Sequence, residues 1–245
     1  MYIRGNELFV EADNFTEFAS FDREYFDQKD RVELFKPYAF LCDDLDVLLN
    51  FPNLTELIFD KCSIGDLSAI FKLSRIRRLA FYECNFGSAF RIASSLLHLK
   101  SLHVGYPTET NDQLLDDIAK LTELQELSIF LADDTTNQRL AELARLERLK
   151  RLTISRASKS PLNFISKLQT LEYLDLGELD SSALDETLPG ILGLPELKTL
   201  SLQGAQLNLD MNLDGLHKLE NFSVHPHTDN NLEVLITWES SKSNR

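Results

Sequence analysis

A six-residue phrase recurs eight times along this chain. It begins as Leu54-Thr-Glu-Leu57-Ile-Phe59 and returns as Ile76-Arg-Arg-Leu79-Ala-Phe81 and Leu99-Lys-Ser-Leu102-His-Val104. The later copies start at Leu124, Leu149, Leu171, Leu197 and Leu219. Every copy is apolar at positions one, four and six, and successive copies lie 22, 23, 25, 25, 22, 26 and 22 residues apart. Positions four and six have the period of a β-strand, whose alternate side chains share a face. Leu57 and Phe59 therefore point inward, and Ile58 and Asp60 point outward. One copy cannot bury its own leucines, whereas a stack of copies makes a continuous core.

The stretches between phrases read as returns. Residues 111–121 place Leu114, Leu115, Ile118, Ala119 and Leu121 at helical spacing, and residues 137–146 do the same with Leu140, Ala141, Leu143, Ala144 and Leu146. These two 25-residue copies carry the clearest helices. Residues 161–168 suit one or two turns, and residues 207–216 read as irregular.

A strand phrase followed by a helical return resembles the leucine-rich repeat family. The resemblance implies an α/β right-handed solenoid, a horseshoe with a parallel sheet on the concave side and short helices on the convex side. It also implies binding through the concave face and its rims. The family often places Asn or Cys three residues after position six. Here that place holds Cys62, Cys84, Pro107, Ala132, Ala157, Leu179, Ala205 and His227. There is no asparagine ladder, so the match is tight in the strands and loose in the turns.

Three segments are expected. Residues 1–50 form an N-terminal cap with one or two degenerate repeats, residues 51–227 the repeats, and residues 228–245 a cap strand and disordered tail. In the first, Val32 is placed at position one, 22 residues before Leu54, which puts Tyr38 at position seven. Residues 43–49 would be its return and residues 8–12 an earlier strand. Phe15, Phe18, Phe21, Tyr25 and Phe26 cluster at roughly helical spacing and read as a cover for the first repeat. Residues 232–238 read as an edge strand, with Trp238 as its lid.

Composition narrows the function. The net charge is −14, with acids concentrated in the first 50 and the last 76 residues. Such a balance speaks against nucleic acid, whose phosphates would be repelled, and favours a basic protein partner. No apolar run approaches the ~20 residues that cross a bilayer. No signal-peptide core follows the start, and three cysteines do not form a disulfide framework. The expectation is a cytoplasmic monomer without membrane attachment. Cys62 and Cys84 occupy the same place in adjacent copies and should stack as buried thiols; Cys42 stands alone.

Enzymatic signatures are missing. The nine glycines make no phosphate loop, and there is no Gly-x-Ser-x-Gly elbow. The pair His225 and His227 lacks further ligands at a metal spacing, and the aspartates 133–134 and 43–46 lack a calcium loop's glycine and closing glutamate. No cofactor, metal or catalysis is expected.

What remains is the outward row of the strands. Position seven reads Asp60, Tyr82, Gly105, Phe130, Ser155, Gly177, Gln203 and His225; position five reads Ile58, Ala80, His103, Ser128, Thr153, Asp175, Ser201 and Ser223. Tyr38, Tyr82, Tyr106, Phe130 and Tyr173 would share one concave strip, and tyrosine anchors are enriched in interface hot spots. Phe130 and Leu131 form an adjacent apolar pair without a core role. Partner binding is thus expected at Tyr38, Asp60, Tyr82, Tyr106, Phe130, Tyr173, Asp175 and His225. Arg77, Arg78, Lys100, Lys150, Arg151 and Lys198 stack at positions two and three as a solvated basic ridge. The function expected is a non-enzymatic protein-binding module, either an inhibitor or immunity-type protein or a scaffold. The alternative is the substrate-recognition part of a secreted effector or ubiquitin-ligase-type enzyme whose catalytic module lies elsewhere.

Overall fold

The computed structural model describes residues 2–11, 26–35, 45–64, 67–86, 96–105, 112–131, 137–156, 161–204, 215–225 and 234–236. The chain divides into two compact units, Met1–Leu124 and Gln125–Arg245.

The first unit contains β1 (Tyr2–Arg4), β2 (Glu7–Glu11), β3 (Arg31–Phe35), β4 (Glu56–Asp60), β5 (Ser63–Ile64), β6 (Arg78–Tyr82), β7 (Asn85–Phe86) and β8 (Ser101–Val104). β2, β3, β4, β6 and β8 pair in that order, all parallel. β1 closes the edge as an antiparallel hairpin with β2, turning at Gly5, whose φ is 59°. β5 and β7 make a second, short parallel ladder. The register aligns Leu8, Val32, Leu57, Leu79 and Leu102 in one row and Val10, Leu34, Phe59, Phe81 and Val104 in the next. All ten are buried. Phe59 stacks on Phe81 with ring centroids 5.2 Å apart.

That register corrects the start of the degenerate copy. Val32 pairs with Leu57, not Leu54, so it stands at position four, and position seven belongs to Phe35 instead of Tyr38. The copy begins at Lys29, a buried lysine whose Nζ donates to the Gly5 carbonyl at 2.8 Å. A polar position one hid this copy from the three-apolar pattern.

The second unit contains β9 (Glu126–Phe130), β10 (Arg151–Ser155), β11 (Tyr173–Gly177), β12 (Thr199–Gln203), β13 (Asn221–His225) and β14 (Val234–Ile236). β9 to β13 are parallel, and β14 pairs antiparallel with β13 at the edge. Positions four and six again form two buried rows, Leu127 to Phe222 and Ile129 to Val224.

A backbone device repeats between copies. The position-two carbonyl accepts from the amides of positions two and three of the next copy, as Thr55 does from Arg77 and Arg78 at 2.8 and 3.0 Å. Lys150 does so from Glu172 and Tyr173 at 2.8 and 2.9 Å. After β4, β6, β10 and β11 the chain turns through a left-handed residue, Lys61, Glu83, Arg156 and Glu178 with φ of 48–55°, and Gly204 takes the same place after Gln203.

The returns are α1 (Asp112–Ile118), α2 (Asn137–Leu140), which continues as the 3-10 turn Ala141–Arg145, and α3 (Ser181–Leu192). The others are 3-10 turns at Asp46–Asn50, Ile70–Lys72, Asn163–Lys167 and Leu216–Lys218. The longest helix, α3, lies in the 26-residue copy, not in the 25-residue copies expected to hold the clearest ones. Pro189 and Gly190 inside it obscure the pattern. Gly190 sits close to Ser166, where an added Cβ would lie 3.1 Å from the serine Cβ. The Thr187 hydroxyl donates to the Ala183 carbonyl at 2.6 Å and accepts from the Leu162 amide at 2.9 Å, tying the helix to the preceding return.

Cys62 and Cys84 are buried, reduced thiols hydrogen-bonded to each other. Carbonyl acceptors also lie within reach of each thiol's single hydrogen, those of Leu34 and Asp60 for Cys62 and those of Phe59 and Tyr82 for Cys84, at 3.3–3.5 Å. The hydrogen bond with Cys62 and then burial push the Cys84 thiol up, so it stays protonated. Phe26 is buried against Phe51 with centroids 4.6 Å apart. The rest of the Phe-rich cluster, Cys42, Asp43, Asp44, Asp133, Asp134 and Trp238 lie outside the described residues, while Asp46 opens a 3-10 turn.

Candidate functional site

The strand period that buries positions four and six presents positions five and seven on the other side of the sheet. In the first unit the register brings Phe9, Glu33, Ile58, Ala80 and His103 into the position-five row. Ile58 is 5% exposed and Ala80 is fully buried. Outward position five is therefore covered at these two residues in this unit.

Tyr82, at position seven of β6, is 37% exposed. Its ring sits on His103 with centroids 4.2 Å apart. Burial first, and the nearby Arg78 charge second, lower the His103 pKa to about 4, so the imidazole is neutral at neutral pH. Gly105 lies beneath it, where a Cβ would come within 2.7 Å of His103 Nε2. Asp60 is half-buried at the end of β4. Burial raises its carboxyl, Lys61 acts against that, and Glu83 adds to it. Glu33 is raised by burial despite Arg31.

In the second unit position five reads Ser128, Thr153, Asp175, Ser201 and Ser223. Asp175 is 9% exposed, so it is not the exposed surface acid that its outward position predicts. Gln203 Nε2 donates to its two oxygens at 3.1 and 2.9 Å. Burial raises its carboxyl, while hydrogen bonds from Ser201 and Gln203 and the His225 charge act the other way. Phe130 is half-buried, with the Arg156 guanidinium 5.6 Å from its ring centroid. Tyr173 is half-buried, with the Arg151 guanidinium 4.1 Å from its centroid. Leu131 is 1% exposed and belongs to the core, which removes the apolar pair as an argument for binding at Phe130. His225 ends β13, half-buried. Tyr38 and Tyr106 lie outside the described residues.

The basic ridge is largely paired. Arg78 meets Glu56 at 3.4 Å, and Lys100 pairs with Glu123. Lys150 and Lys198 both grip Glu172 at 2.9 Å, which holds that carboxyl down to about 2. Arg31 bridges Glu7 and Glu56 in the same manner. Among the described residues no group of His, Cys, Asp or Glu is placed to hold a metal, and no helix is long and apolar enough to cross a membrane.

The repeat phrase, the parallel strands and the returns define the class of fold: the chain has the leucine-rich repeat fold. Among solved structures it is similar to an internalin C2 from Listeria monocytogenes, with a TM-score of 0.59 and 19% identity over 83% of this chain and 84% of that one. A second internalin from the same bacterium aligns at a TM-score of 0.38 and 18% identity over 84% of this chain and 77% of that one. The plant peptide hormone receptor RGFR1 in complex with RGF2 aligns at 0.46 and 10% over 90% of this chain and 38% of that one. The first likeness shows the fold alone. No protein-family model and no curated protein matches the sequence.

Proposed function

We propose that the chain is a non-enzymatic module that holds a protein partner on the outward face of its strands. The observation that supports this most is Tyr82. Among the described residues the exposed large apolar side chains are Leu49, Tyr82 and Leu97, and only Tyr82 stands on a strand. It is pre-set by its stack on His103, so little side-chain freedom is lost when a partner covers it. Half-buried acids on the same side, Glu33 and Asp60, suit a basic partner, as does the net charge of −14. Within this class the reading is an inhibitor, immunity-type protein or scaffold that works as a cytoplasmic monomer.

The test is cross-linking of the tagged chain in its host, followed by affinity measurement with the captured protein. Tyr82→Ala should weaken binding mainly through faster dissociation, with unchanged thermal unfolding. A partner whose cross-links fall only on the return segments would refute the reading.

A further inference from the structure

Asp175 differs from several acids among the described residues that are held by a basic side chain. Glu172 has Lys150 and Lys198, Glu33 has Arg31, and Asp117 has Lys120 at 2.7 Å. Asp175 is 9% exposed, and among the described residues no lysine or arginine pairs with it. Its hydrogen-bond donors are neutral: the Gln203 amide on both oxygens and the Ser201 hydroxyl. Neutral donors replace water only in part around a carboxylate, and hydrogen bonds to an ionised donor are about twice as strong. The carboxyl is accordingly raised, first by burial.

The surroundings admit a cation. β11 is the middle strand of the five parallel strands of its unit. Asp175 is flanked in register by the short side chains Thr153 and Ser201, with Gly177 at position seven and the half-buried Tyr173 at position three of the same strand. Gln203, which covers it, is itself exposed. A guanidinium presents paired N–H donors to a carboxylate, as the Gln203 amide does here, and adds a permanent charge where His225 alone acts on the carboxylate.

We propose that Asp175 is the anchor for one cationic side chain, an arginine or a lysine, presented by the protein partner, with Gln203 as the displaceable cover. This rests on the protein-binding reading and names the chemistry of the contact. The carboxylate acts on dissociation, because it holds a desolvated charge pair, and not merely on encounter.

The probe is the capped tripeptide acetyl-Gly-Arg-Gly-amide, titrated into the full chain and followed by amide NMR shifts. The isosteric citrulline peptide is the uncharged control. The amides of Asp175, Gly177, Ser201 and Gln203 should shift saturably with the arginine peptide. Binding should fall at least tenfold with citrulline or in Asp175→Asn. Gln203→Ala, which uncovers the carboxylate, should bind the arginine peptide as well as or better than wild type. Equal binding by Asp175→Asn, equal binding of citrulline, or shifts spread over unrelated surface acids would each overturn the anchor. A captured partner that is weakened by Tyr82→Ala but indifferent to Asp175→Asn would overturn the anchor and leave the binding module standing. Indifference to both would remove the module as well.

Discussion

The two units share one internal register and use its outer side differently. In both, positions four and six are filled by large apolar residues, and the position-two carbonyl carries the same forked hydrogen bond. Outside, the first unit sets Ile58, Ala80, His103 and Tyr82 on the sheet. The second sets Ser128, Thr153, Ser201 and Ser223 around a shielded Asp175. The turns differ as well: paired thiols cap two carbonyl rows in the first, while Leu179 is simply buried in the second. The backbone ladder needs only the inner rows, so outward position five is free to become largely apolar in one unit and hydroxyl-lined in the other.

The largest expected effect tests the sameness of the inner rows. Leu57→Ala in the first unit and Leu152→Ala in the second should each cost roughly 2–5 kcal/mol in chemical denaturation, because each leaves a cavity in a packed core. A much smaller loss in one unit would mean that its strand phase is misread.

The next tests the difference between the outer rows. Ile58→Ala should cost about 2 kcal/mol or more, since Ile58 is 5% exposed. Ser128→Ala, at the same position in the second unit, should cost under about 0.5 kcal/mol. Equal costs would erase the distinction.

His103 gives the first unit its own pH response. Its neutral form is favoured in the fold, with a pKa of about 4 against an ordinary value of 6.5. The unfolded chain therefore binds the proton more readily. The stability this contributes is intact above about 6.5 and is lost as pH falls towards 4. Allowing for partial exposure, the loss is about 1–2 kcal/mol. Asp60, Glu33 and Asp175, all raised, act in the opposite sense over the acid range. Denaturation midpoints of His103→Gln should lose that part of the slope between pH 6.5 and 4; an unchanged profile would place the imidazole in water.

The smallest effect concerns the left-handed turns. Glu83→Gly and Glu178→Gly should stabilise by about 0.5–1 kcal/mol, the relief of a conformation costly for a side chain less the entropy that glycine loses. Their loose ion pairs, Lys61–Glu83 at 3.9 Å and Arg156–Glu178 at 3.6 Å, are exposed and weigh little. Destabilisation at both sites would show that these side chains hold the turns.

The strands were legible because a period of two with three apolar anchors leaves one phase open. A further periodic position precedes each phrase. Three residues before each position one stand Phe51, Leu73, Leu96, Leu121, Leu146, Leu168, Leu194 and Leu216, all buried. These close the returns, and their backbones carry the chain into the next strand. The β1–β2 hairpin was missed although Gly5-Asn6 is a turn signal between extended residues. The α3 helix was missed because Pro189 weighs against a helix in sequence, while its packing on residues 163–167 decides in favour. The candidate surface was legible only as positions. Sequence cannot show that Ile58 and Ala80 are covered, that Arg151 lies over Tyr173, or that Asp175 is shielded without a cation, because each depends on side chains from adjacent copies.

The most direct measurement compares partner affinity across three variants: Tyr82→Ala on the first unit's outward row, Asp175→Asn on the second's, and Arg145→Ala on a return segment. The first should weaken binding about 30-fold, the value of a hot-spot aromatic worth roughly 2 kcal/mol. The second should weaken it at least tenfold, with faster dissociation. The third should leave it unchanged. A partner that loses affinity with Arg145→Ala and ignores the other two binds behind the sheet, and the outward strand face is then not the functional surface.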